Sequence, residues 1–139
     1  MTVPYSLSLY EQIQLARELE NIGVQILQTE GLKLQARMDN SCCTELVNRS
    51  FPVLSSTYAI SKAVKIPVVA ASGMNIVTAS LAILYGASGI GMGSSILNHS
   101  GILSRSTYLK TVMKSLQSIS KVSHSNKVDF VQCYNNSLI

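Results

Sequence analysis

Three short runs hold the groups best placed to do chemistry: Gln28-Thr29-Glu30-Gly31, Ser72-Gly73-Met74 and Gly93-Ser94-Ser95. Each follows a short stretch that reads as a strand, and in β/α proteins the ligand sits at the carboxyl ends of the strands. Glu30 is the carboxylate directly after such a stretch, where it could act as a general base or bind a polar ligand. Thr29 and Gln28 could only orient a ligand. Glycine after two adjacent strands lets backbone N–H groups approach a ligand, and Ser94-Ser95 can open a short helix whose free N–H groups favour an anion. Ser72, Gly73, Gly93, Ser94 and Ser95 therefore read as a phosphate cradle and Glu30 as the candidate catalytic residue. Against the cradle stands tight packing, because Gly89, Gly91 and Gly93 fall on one strand face and can simply let a neighbour come close. Against the catalytic role stands an ordinary exposed loop glutamate. No Ser-His-Asp, Cys-His or paired-carboxylate constellation is visible.

The elements that must position these runs alternate. Residues 9–22 carry apolar Ile13, Leu15, Ala16, Leu19 and Ile22 at helical spacing, and Gly23 stops them. Residues 24–28 then predict a strand and residues 29–41 a polar loop. Residues 44–64 predict helix, broken near Phe51-Pro52 because proline disfavours helix in the residue before it. The apolar run 66–71 suits a parallel strand covered on both faces. Asn75 can cap a helix over 76–85, Gly86 stops it, and 89–93 form the next strand. Residues 104–121 predict a last helix whose face of Leu109, Val112, Met113, Leu116 and Ile119 covers the sheet, with Lys110, Lys114 and Lys121 opposite. Thr2-Val3 can end an earlier strand, and 122–139 read as a weakly ordered C-terminal tail.

With 139 residues a single domain is expected, and a complete eight-stranded barrel, which needs about 200, does not fit. Only 13% of residues are charged and 47% are apolar, which excludes a disordered chain. The net charge of +4 lies wholly in the C-terminal third: residues 66–104 hold no charge, and Arg105, Lys110, Lys114, Lys121 and Lys127 face only Asp129 beyond them. Five spread cations make no nucleic-acid footprint. Pro67, Gly73, Asn75, Gly86 and the following glycines cut the uncharged stretch into pieces too short to span a bilayer, so no membrane insertion is expected. Cys42, Cys43 and Cys133 fit neither a disulfide framework nor a zinc spacing, and His99 and His124 read as loop or surface residues. The N-terminus lacks the look of a secretory signal or a transit peptide, which suits a protein of the cytosol or one made inside its organelle.

The pair Ile66-Pro67-Val68-Val69-Ala70-Ala71-Ser72-Gly73 and Tyr85-Gly86-Ala87-Ser88-Gly89-Ile90-Gly91-Met92-Gly93-Ser94 looks like the last two strands of phosphate-binding β/α barrels. Together with Thr2-Val3-Pro4, Gln28-Thr29-Glu30-Gly31 and Thr57-Tyr58-Ala59-Ile60-Ser61-Lys62-Ala63-Val64, it closely resembles the hypothetical chloroplast reading frame 23 family of plastids and cyanobacteria. The likeness covers residues 1–121. The resemblance implies an α/β fold, the later half of an aldolase-type (β/α)8 TIM barrel, encoded in an algal plastid genome and located in the chloroplast stroma. It carries no established activity with it. Two functions are then expected to compete. One is a soluble plastid protein binding a phosphorylated metabolite or flavin mononucleotide (FMN). The other is a non-catalytic structural or interaction protein that pairs through its open half-barrel, as a homo-oligomer or with a partner chain that completes the barrel.

Overall fold

The computed structural model describes residues 1–31 and 43–125, with side chains over 1–31 and 50–119. Four strands, β1 (Thr2–Val3), β2 (Leu27–Thr29), β3 (Val68–Ala71) and β4 (Gly89–Gly91), form one parallel sheet in the order β1-β2-β3-β4. They alternate with α1 (Leu9–Asn21), α2 (Cys43–Ala63) and α3 (Ile76–Leu84), and two further helices follow, α4 (Ser94–Leu97) and α5 (Ile102–Ser125). The α/β class and the parallel alternation expected from the sequence are therefore observed.

Local chemistry explains where the elements begin and end. Ser8 and Glu11 form a reciprocal capping box at the start of α1: the Ser8 hydroxyl accepts from the Glu11 N–H (3.3 Å), and the Glu11 carboxylate accepts from the Ser8 N–H (2.8 Å). Hydrogen bonding from Ser8 to the carboxylate, through its hydroxyl first and then its backbone N–H, holds the Glu11 carboxyl below its ordinary pKa. Asn75 and Thr78 make the equivalent box at α3. Gly86, at φ 95°, ends that helix, and a Cβ there would also run into Ser61.

Consecutive helices pack on one another, α1 on α2 and α2 on α3, so all three lie on one face of the sheet. That face carries buried Val3, Leu27, Thr29, Val68 and Ala70. Val3, Ala16, Leu19, Leu27, Ile60, Val64 and Val68 make one core cluster, and Val53, Leu54, Ala70, Met74, Ala82 and Ala87 a second. Thr29 and Thr57 enter this apolar layer as a pair, their hydroxyls 3.0 Å apart, so neither is left unsatisfied. On the opposite face Thr2 and Gln28 are exposed, and Val69, Gly89 and Gly91 are half-buried.

Three expectations need correction. The helix expected to break near Phe51-Pro52 is continuous from Cys43 to Ala63, with Pro52 inside it. An interior proline costs about 3 kcal/mol, but fully burying Val53 and Leu54 returns about 1.5–3 kcal/mol each, so packing overrides the local preference. β2 starts at Leu27, not at Val24, because the Val24 N–H is still engaged by the Leu19 carbonyl at the end of α1 (3.0 Å). The last helix does not cover the sheet. It packs on α3 and α4, with Val112 buried, Ser115 bonded to Ser80 (2.8 Å) and the Tyr108 hydroxyl accepting from the Ile76 N–H (3.0 Å). Leu109 and Met113 are left exposed, at 41% and 54%. This helix continues to Ser125, and residues 126–139 of the expected tail lie outside the described residues, as do Cys42, Cys133 and the side chains of Cys43 and His124.

Candidate functional site

Parallel pairing puts the carboxyl ends of all four strands on one rim. Ala70 pairs with Ile90 and Ala71 with Gly91, so Ser72-Gly73 and Met92-Gly93 leave the sheet side by side. Thr29 pairs with Ala70, which sets Glu30 and Gly31 on the other flank of Ser72. A Cβ built on Gly31 would lie 3.3 Å from the Ser72 Oγ, so those two turns touch. The structure thus brings Glu30, Ser72, Gly73, Gly93, Ser94 and Ser95 to one end of the molecule, on three neighbouring turns.

The backbone of the central turn is unusual. Ser72 has φ 77° and Gly73 φ 70°, both in the left-handed region, and among the described residues Ser72 alone is a non-glycine there. Such a conformation costs about 1–3 kcal/mol and persists only where its surroundings hold it. Here the hold comes from α2: the Ser50 hydroxyl donates to the Gly73 carbonyl (2.8 Å), and its oxygen lies 3.1 Å from the Thr78 Oγ1, whose hydroxyl supplies the proton of that second bond. Asn75 Nδ2 adds a longer bond to the Gly73 carbonyl (3.4 Å), and the neighbouring Met74 is buried. Sequence reasoning missed Ser50. Its one signal is the helical spacing that puts it on the same face as Val53 and Leu54.

The glycines divide into two groups. A Cβ on Gly91 would come within 2.8 Å of the Ala71 Cβ, and one on Gly31 within 2.5 Å of the Val53 Cγ2, so both positions are small for packing. A Cβ on Gly93 would meet nothing within 4 Å, and Gly93 is exposed. Open space therefore lies beside Gly93, where α4 begins. Within α4, Ser94 is exposed, while the Ser95 Oγ is buried and has no hydrogen-bond partner among the described residues. Glu30 is half-buried. No Lys or Arg occurs from Ile66 to Ser104, so any anion held between β3 and β4 would depend on backbone N–H groups and hydroxyls.

His99, in the turn between α4 and α5, stacks on the Tyr108 ring with centroids 4.4 Å apart, and the two line an open groove along the first turns of α5. Among the described residues no three of His, Cys, Asp and Glu cluster in a way that could hold a metal ion. No helix there is long and apolar enough to cross a membrane.

Comparison with known proteins bears on the whole arrangement. A family model described as "Protein of unknown function (DUF561)" matches residues 1–123. The chain is similar to the uncharacterized protein ycf23 of Antithamnion sp., with 42% identity over 117 residues, covering 78% of this chain and 42% of that protein. Its likeness to the ycf23 protein of Pyropia yezoensis is 36% over 137 residues, covering 96% of this chain and 50% of the relative. The ycf23 protein of Porphyra purpurea is 36% identical over 118 residues, 85% of this chain and 44% of the relative. The chain spans about half the length of the curated relatives it matches.

Proposed function

The chain belongs to the ycf23 family of plastid proteins of unknown function, and from that premise we propose that it binds a phosphate-bearing small molecule at the ends of β3 and β4. In this reading the chain is the later half of an aldolase-type β/α barrel working in the plastid stroma. Its ligand is a phosphorylated metabolite or FMN. The sequential strand order and the single helical face support the barrel, since a doubly wound sheet reverses its strand order and carries helices on both faces.

The observation that carries the proposal is the left-handed step at Ser72-Gly73, pinned by Ser50 beside the open space at Gly93. Left-handed steps in turns gather backbone N–H groups into concavities that accept anions, and strained backbone concentrates at such sites. Ser72, Gly73, Gly93, Ser94 and Ser95 would hold the phosphate, with the unpartnered Ser95 hydroxyl free to donate. Glu30, on the same rim, is the residue we assign to any proton transfer there. It does not contact the phosphate in this reading, so Glu30→Gln leaves phosphate binding unchanged or slightly tighter.

Calorimetry with inorganic phosphate and with FMN tests the proposal. The wild-type chain should bind, and Gly93→Val should not, because the branched side chain fills the space the anion needs. A Cβ at Gly93 meets no neighbouring atom within 4 Å, and circular dichroism of the variant should show the fold retained. Lys62→Ala, on α2, should bind as the wild type does. Equal loss in both variants would mean general electrostatic attraction, and absence of binding by the wild type would refute the site.

A further inference from the structure

The start of α4 carries Ser94 and Ser95 of the candidate site, yet the core does not hold it: no residue of α4 is buried, and the helix packs chiefly on α5. Its own bonds make it one short piece that runs to His99, with the Asn98 N–H donating to the Ser94 carbonyl (2.9 Å) and the His99 N–H to the Ile96 carbonyl (3.2 Å). What fixes that piece comes from α5. The Arg105 guanidinium donates to the His99 carbonyl through Nε (2.9 Å) and to the Leu97 carbonyl through Nη2 (3.5 Å). The Tyr108 ring lies against the His99 imidazole, with centroids 4.4 Å apart and planes inclined by 32°.

Tyr108 also reaches the other wall of the site. The first N–H groups of a helix have no partner inside it. At α3 the Asn75 Oδ1 accepts from Val77 (2.9 Å) and Thr78 (3.2 Å), and the Ile76 N–H donates to the Tyr108 hydroxyl, 32 residues away in sequence (3.0 Å). Between Gly73 and Ile76, Met74 is buried and Asn75 bonds back to the Gly73 carbonyl, so the Tyr108 contact bears on the left-handed turn itself. Ser50 grips that turn from α2 and Tyr108 grips it from α5. One aromatic side chain thus joins the turn after β3 to the helix after β4, beyond the pairing of Ala71 with Gly91 where the sheet's own hold on them ends.

We propose that Tyr108 and His99 are positioning residues of the phosphate site: neither touches the ligand, and together they set the spacing between the Gly73 turn and the Ser94–Ser95 end of α4. The proposal rests on the phosphate reading above. A phosphate held by both turns needs their N–H groups in place at once, so loosening the link lowers affinity without removing a donor. Ordinary packing of α5 on α3 is separate from this link. Val112, 3% exposed, and the bond between Ser80 and Ser115 (2.8 Å) lie further along α5 and hold the two helices together.

Calorimetry with inorganic phosphate, thermal melts and amide spectra test the proposal. Tyr108→Phe keeps the ring and loses the bond to Ile76, whereas His99→Ala loses the stack. Each should weaken phosphate binding about three- to tenfold, the range of one hydrogen bond or ring contact. The double variant should lose little more than the worse single one, because both act through one link. His99→Phe, which keeps a ring against Tyr108, should bind within about twofold of the wild type. Val112→Ala should melt at a lower temperature and bind as the wild type does. Unchanged affinity in Tyr108→Phe and His99→Ala overturns the proposal while leaving the phosphate site standing. So do losses that multiply in the double variant, a His99→Phe no better than His99→Ala, or affinity that falls with melting temperature in Val112→Ala. If the wild type binds no phosphate, the site reading fails and the ligand-free spectrum decides the link. There Tyr108→Phe should move the amide signals of Ser94 and Ser95 as well as that of Ile76, and a change confined to the start of α3 overturns the link.

Discussion

The β1–α1–β2 end and the β3–α3–β4–α4 end share one parallel sheet but use it differently. At the first end Val3, Leu27 and Thr29 are almost fully buried beneath α1 and α2, and α1 is closed by a capping box. At the second end no residue of β4 or α4 is fully buried, the strand is Gly-Ile-Gly, and two turns carry backbone rather than side chains to the rim. The first end builds one core cluster, and β3 with α3 helps build the second. β4 and α4 give up side-chain burial and bring backbone N–H groups and open space to the strand ends. Stability and ligand binding should therefore separate along the sheet.

The largest expected effect is at the first end. Leu27→Ala should cost about 2–5 kcal/mol in denaturant unfolding, since a fully buried side chain leaves a cavity behind it. Ile90→Ala, at a half-buried position of β4, should cost less than half as much. Similar losses at both positions would erase the contrast between the two ends. A smaller effect separates the glycines: Gly31→Ala, pressed against Val53, should cost about 1–3 kcal/mol, whereas Gly93→Ala should cost less than about 1 kcal/mol.

The sequence exposed some of this division and hid the rest for identifiable reasons. Asn75 and Gly86 punctuate α3 through local backbone chemistry, which depends on neighbours in the chain and so can be read from it. The order of strands and helices was legible for the same reason, as were the turns after β3 and β4. Pro52 misled because the forces that keep α2 continuous come from distant residues, including the Gly73 carbonyl that accepts from Ser50. The apolar stripe of α5 was visible as a stripe, but periodicity does not say what it faces: the expectation was the sheet, and the structure packs the helix on α3 and α4, burying Val112 and leaving Leu109 and Met113 exposed. Gly93 of the candidate site and its neighbour Gly91 look alike in sequence. They are told apart only by the Ala71 side chain that a Cβ on Gly91 would strike.

The smallest effect concerns pH and sharpens the description of α1. The Ser8 bonds lower the Glu11 pKa in the folded state, so the stability they contribute is present above the ordinary carboxylate range and is lost as pH falls through the lowered value. Thermal melts of the wild type against Glu11→Gln, from neutral pH downward, should differ most at neutral pH and converge in acid. A difference that grows as pH falls would contradict the capping box as the source of the shift.

The central claim, that the rim of β3 and β4 holds a phosphate through backbone N–H groups, is tested most directly by amide chemical shifts during a phosphate titration. Saturable shifts should concentrate at Gly73, Gly93, Ser94 and Ser95 and disappear in Gly93→Val. Shifts gathered instead along the lysines of α5, or none at all at millimolar phosphate, would contradict it.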